Sequence, residues 1–105
     1  MYNLYEFYEK NIDEVIEAMR KQNKEEIIFN EEGYDDCGVM LSDIDGYSHD
    51  AIATGVRLSK EANKGIEIFV EDNFDNTKHW ITIYDISCLT SIETLETAAY
   101  ILGIM

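Results

Sequence analysis

The sequence predicts an α+β fold: an antiparallel sheet of four or five strands with a meander core, flanked by an N-terminal and a C-terminal helix as a two-layer sandwich. Three observations predict it. Apolar residues recur every three or four positions near both ends of the chain, and in the middle they alternate every second position. The 105 residues, 46% of them hydrophobic, are enough for one core and too few for two, so residues 1–105 form a single domain. No Pro, internal repeat or low-complexity tract interrupts the chain.

Tyr5, Tyr8, Ile12, Val15, Ile16 and Met19 lie on one helical stripe, and Arg20, Lys21 and Lys24 suit a negative C-terminal pole. The helix runs from about Asn3 to Asn23, or begins near Ile12 if Asn11 and Glu14 form an internal cap. Glu26–Asn30 and Cys37–Ser42 read as short strands, the second running into an Asp-Gly turn signal. Three strands with cleaner alternation follow. Ile52, Thr54, Val56 and Leu58 share one face of the first. Ile66, Ile68 and Val70 share a face of the second, and Ile81 and Ile83 alternate with Trp80, Thr82 and Tyr84 in the third. Thr90-Ser-Ile-Glu93 matches a capping box, Ile92, Leu95, Ala98, Ala99 and Leu102 form the buried stripe behind it, and Gly103 marks the stop. Both helices then cover the Ile/Val face of the sheet.

Matching the apolar faces sets Val56 opposite Ile68 and Leu58 opposite Ile66, with Arg57 opposite Glu67 on the other face. That second face carries Phe69, Trp80 and Tyr84, more aromatic surface than water-facing positions need. Either the N-terminal aromatics or the 31–50 segment covers it, or it meets a partner or a second copy.

The formal net charge is −14, and residues 31–50 hold half of it: Glu31, Glu32, Asp35, Asp36, Asp43, Asp45 and Asp50, with no Lys or Arg. Such a balance opposes direct binding of nucleic acid or an anionic membrane surface. No apolar run approaches the roughly 20 residues of a membrane span, and the first residues do not read as a signal peptide. Cys37 and Cys88 lie far apart and outside any Cys-x-x-Cys pattern, which fits reduced thiols and a cytoplasmic location.

Motifs with chemical content are few. In Asp43-Ile-Asp-Gly-Tyr-Ser-His-Asp50, taking Gly46 as the EF-hand glycine puts Leu41 at the first ligand position and Ile52 at the last, so both ends fail. Cys37, His49 and a nearby Asp are the residue types of a thiol nucleophile with its base, but no oxyanion-hole motif or helix start accompanies Cys37. His49 and His79 have no Cys-x-x-Cys companion to suggest zinc. Walker, G-x-G-x-x-G and nucleophile-elbow motifs are lacking, so neither catalysis nor a cofactor is expected.

The resulting expectation is a small, acidic, non-enzymatic binding module whose carboxylates Glu31, Glu32, Asp35, Asp36, Asp43 and Asp45 dock on a basic protein partner. One form of this is an inhibitor whose carboxylates stand in for the phosphates of a nucleic acid. The alternative is a homo-oligomeric scaffold, for example a homodimer, joined through Phe69, Trp80 and Tyr84. Divalent-cation binding stands behind both.

Overall fold

The computed structural model describes residues 4–41, 51–60 and 65–104, residues 4–9 by their backbone alone. Its elements are helix α1 (Leu4–Lys21), strands β1 (Glu26–Ile28), β2 (Val39–Met40), β3 (Ala51–Leu58), β4 (Ile66–Asp72) and β5 (Thr77–Thr82), a 3₁₀ turn (Ile83–Asp85) and helix α2 (Cys88–Leu102). The five strands form one antiparallel sheet in the order β1-β3-β4-β5, with β2 also paired to β3. The α+β fold with a helix at each end is therefore as expected, and β3-β4-β5 is the meander.

Both helices pack on one face of the sheet, called inner below. Ile12, Val15, Ala18 and Met19 of α1 and Ile92, Leu95, Ala98 and Leu102 of α2 join Ile27, Val39, Ala51, Ala53, Val56, Ile66, Ile68 and Val70 in a single buried cluster. Five of these strand residues are β-branched and wholly buried, which suits a pleated surface under a helical layer. Burying each such side chain contributes about 1.5–3 kcal/mol relative to exposure. Two polar links hold α2 in place. Gln22 Nε2 donates to the Leu102 carbonyl at 2.8 Å, satisfying one orphan carbonyl at the end of α2. Ser91 Oγ, fully buried, donates to the Ile83 carbonyl at 2.9 Å.

The expected register of β3 against β4 is the observed one: Val56 faces Ile68, Leu58 faces Ile66, and Arg57 faces Glu67 at 3.0 Å. The facing of β3 is different. The register shifts between Ala53 and Gly55, leaving Thr54 as the extra residue of a bulge. Ala51 and Ala53 consequently face the core together with Val56, while Ile52 sits opposite Glu71 on the outer face. Gly55 marks this place because β1 crosses so close that a Cβ there would stand 2.7 Å from the Ile27 carbonyl oxygen.

Helix α1 takes the unbroken one of the two expected forms, and the Nδ2 of Asn11 is buried without a hydrogen-bond partner instead of capping a second helix. Other boundaries differ from expectation, with β1 ending at Ile28 and β2 starting at Val39. Helix α2 starts at Cys88, and its cap is Ser87, whose Oγ accepts from the Thr90 amide at 3.3 Å; Thr90 lies inside the first turn. Strand β5 ends at Thr82, so Ile83 and Tyr84 belong to the 3₁₀ turn. Gly103 does end α2, at φ +76°, a left-handed position that glycine adopts without strain.

Candidate functional site: the outer face of the sheet and its acidic edge

Pairing assigns the outer face residue by residue. Glu26 and Ile28 come from β1, Met40 from β2, Ile52 and Arg57 from β3, Glu67, Phe69 and Glu71 from β4, and Lys78, Trp80 and Thr82 from β5. Phe69 and Trp80 sit directly opposite each other with ring centroids 4.9 Å apart. The Arg57 guanidinium lies 4.3 Å from the Trp80 ring centre while its Nε holds Glu67 at 3.0 Å. Cation–π contact and ion pair together fix the Arg57 side chain across the sheet. The aromatic pair is thus half-buried, with Arg57 supplying part of its cover. Tyr84 is half exposed in the 3₁₀ turn, so it is not part of this row.

A groove of about 270 Å³ opens at the other side of the same face. Its origin is the unusual edge of β3, which β1 and β2 share. The chain leaves the edge after Phe29, whose amide donates to the Thr54 carbonyl at 2.9 Å, and returns at Val39. Between them residues 30–38 stand off as a chain of turns, held by backbone bonds such as Tyr34 N–H to the Phe29 carbonyl at 2.9 Å. Tyr34 packs edge-on against Tyr100 of α2, centroids 5.7 Å apart, which anchors the loop to the helical layer. Gly38 lets the loop return flush against the sheet, because a Cβ there would meet Ile52 Cγ2 at 2.8 Å. Tyr34, Asp35 and Asp36 of the loop line it together with Met40, Ile52 and Thr54 of the sheet and Glu71, whose carboxylate is joined to Lys78 at 3.3 Å.

The acidic residues singled out from the sequence separate into groups. Asp35 and Asp36 are exposed and line the groove. Glu31 is exposed away from it, and Glu32 is joined to Lys24 at 3.4 Å, which braces the loop against the end of α1. Asp43, Asp45, Asp50 and His49 lie outside the described residues. Tyr34, Met40, Ile52 and Glu71 complete the groove but were not read from the sequence. Ile52 was hidden by the bulge, which turns it outward, and the isolated Gly55 within a strand was the available signal.

Chemically, the groove offers methylene and thioether surface beside carboxylates. Met40 is 70% exposed, an unpaired apolar contact next to Asp35 and Asp36. A Lys or Arg side chain fits this combination, its stem on Met40 and Ile52 and its charged head on the carboxylates. Among the described residues no three His, Cys, Asp or Glu side chains converge to hold a metal ion. Cys37 and Cys88 are free and half-buried, and burial pushes the Cys88 thiol up, away from thiolate chemistry. Among the described residues no helix is long and apolar enough to cross a membrane. No protein-family model, curated protein or solved structure matches this chain.

Proposed function

We propose that the protein is a non-catalytic interaction module, working in the cytoplasm, that docks onto a basic, partly apolar segment of a partner protein through the Asp35/Asp36/Glu71 groove. The observation that carries this reading is the juxtaposition of those carboxylates with the exposed Met40 and the outward-turned Ile52. Carboxylates on a braced loop cost little conformational entropy on binding, whereas the same charges on a mobile tail would. A net charge of −14 adds long-range steering of a cationic partner. The same geometry suits a partner whose Arg and Lys residues otherwise hold nucleic-acid phosphates.

The test is an NMR titration with a synthetic peptide rich in Lys and Arg around one central Leu. Shifts should concentrate at Tyr34, Met40, Ile52 and Glu71, and the combined Asp35→Asn, Asp36→Asn, Glu71→Gln variant should bind more than ~10-fold more weakly. Neutralising Glu31 and Glu32 instead should change affinity less. Shifts spread evenly over every acidic residue, or an unchanged affinity in the triple variant, would remove the groove as the binding site.

A further inference from the structure

We infer that two copies of this chain associate through the outer edge of β5, strand against strand and antiparallel, so that one sheet runs through both. Strand β5 ends the strand order, and among the described residues it pairs only with β4. It runs from Thr77 to Thr82 without Pro or Gly, and Lys78 is its one fixed charge. In a chain of net charge −14, residues 76–84 contain no Asp or Glu. The opposite edge is flanked by Glu31, Glu32, Asp35 and Asp36, where two copies would repel. The β5 edge is the side on which copies of so acidic a molecule can approach.

Symmetry limits the registers to those centred on a residue, and charge chooses among them. A two-fold axis perpendicular to the sheet keeps both outer faces on one side, so residues opposite each other must share a face. Centring the axis on Trp80 satisfies this and overlaps Lys78–Thr82 of each copy. Lys78 then lies opposite Thr82 of the second copy, whose own neighbour on β4 is Glu67. Across the outer face the row reads Glu71, Lys78, then Thr82, Glu67, Arg57 and Glu26 of the second copy. Charges alternate along it, and Lys78 gains a second carboxylate beyond a small residue. On the inner face the half-buried His79 meets the half-buried Ile81. The Trp80 ring leans back over β4 towards Arg57, leaving the backbone edge beside it clear of the ring. Such a dimer presents both Asp35/Asp36/Glu71 grooves on one side, allowing bivalent engagement of a partner, although the edge itself uses none of the groove residues.

Sedimentation equilibrium of the full chain tests this, in about 0.01 M and about 0.15 M salt. The expected result is a monomer–dimer equilibrium that tightens with salt, because screening relieves repulsion between two acidic bodies. Basic-peptide binding at the groove should weaken with salt, so the two proposals fail separately. Lys78→Glu, at a side chain 66% exposed, should weaken the dimer about 10-fold or more, since each repulsive contact occurs twice. Thr82→Lys, which sets Lys against Lys78, should do the same, with circular dichroism confirming the fold of each variant. Trp80→Ala should leave the dimer in place. A chain monomeric in both salts, a dimer indifferent to Lys78→Glu and Thr82→Lys, or a dimer broken by Trp80→Ala alone would overturn the inference.

Discussion

Replacing Gly55 by Ala should detach β1 from the sheet edge, and the structure fixes the scale of the effect. The new Cβ would stand 2.7 Å from the Ile27 carbonyl oxygen, 2.9 Å from Ile28 Cδ1 and 3.4 Å from Ile28 Cα. Real Cβ atoms essentially never approach below 3.0 Å. Ile28 Cδ1 is the end of a flexible side chain and can swing away, but the Ile27 carbonyl is backbone. Strand β1 must therefore move, and it carries the fully buried Ile27 and is followed by the buried Phe29. Overpacking of this kind costs about 1–3 kcal/mol, while loss of glycine's unfolded-state freedom returns about 0.5–1 kcal/mol. The difference spans about 0–2.5 kcal/mol, and because the 2.7 Å contact is with backbone the upper part applies, a loss of about 1–2.5 kcal/mol or a Tm lowered by about 5–20 °C in a domain of this size. Thermal unfolding followed by circular dichroism measures it. Adding Ile28→Val removes the side-chain contact and leaves the carbonyl contact, so the double variant should recover little. A Gly55→Ala protein with an unchanged or higher Tm would refute the close crossing of β1, and full recovery in the double variant would place the clash on the side chain.

Ser87→Ala should cost about 1 kcal/mol by removing the cap of α2, read as a lower midpoint in urea with an unchanged slope; no loss would return the cap to Thr90. In the β4–β5 turn, the Thr77 hydroxyl donates to Asp75 Oδ1 at 2.6 Å and holds that carboxyl below its ordinary range. A carboxylate depressed in the folded state stabilises above its unfolded pKa, and that contribution fades as pH falls through the lower folded value. Thr77→Val should therefore raise the Asp75 midpoint in a carbon-detected NMR titration, and an unmoved midpoint would contradict the hydrogen bond as the cause.

What could be read from the sequence depended on how local the determining physics is. The pairing of β3 with β4 was legible because one apolar face on each strand leaves few registers, and the same constraint put Arg57 beside Glu67. The bulge at Thr54 was not. It lies where β1 pairs with β3 at Gly55, and β1 is a strand of three residues whose neighbour is fixed only by tertiary packing. One inserted residue reverses the facing of everything before it, so Ile52 moved from the expected core to the lining of the groove. The cap of α2 was misread for a simpler reason. Ser87 and Thr90 are both good cap residues three positions apart, and only the buried stripe of the folded helix decides between them. Tyr84 was assigned to the aromatic face by extending alternation two residues past Thr82, where the chain turns into the 3₁₀ segment.

The distribution of charge across the sheet links the two proposals more closely than either residue set suggests. The strands are ordered so that the edge shared by β1 and β2 lies beside the acidic loop, whereas β5 at the other edge is free of carboxylates. On the outer face between them, Glu67 is joined to Arg57 and Glu71 to Lys78, at 3.0 and 3.3 Å. The Lys78 pair is exposed on its lysine side and adds little stability, but both pairs neutralise the centre of the face. The unbalanced carboxylates of the groove are then Asp35 and Asp36 on the loop, with Glu71 sharing its charge with Lys78. Under the two proposals, a cationic partner is drawn to one edge for the same reason that a second copy is tolerated at the other. Salt should accordingly act in opposite directions on the two associations, weakening the first and strengthening the second. A common salt dependence for both would mean that the net charge of the molecule, rather than its placement across the sheet, governs association.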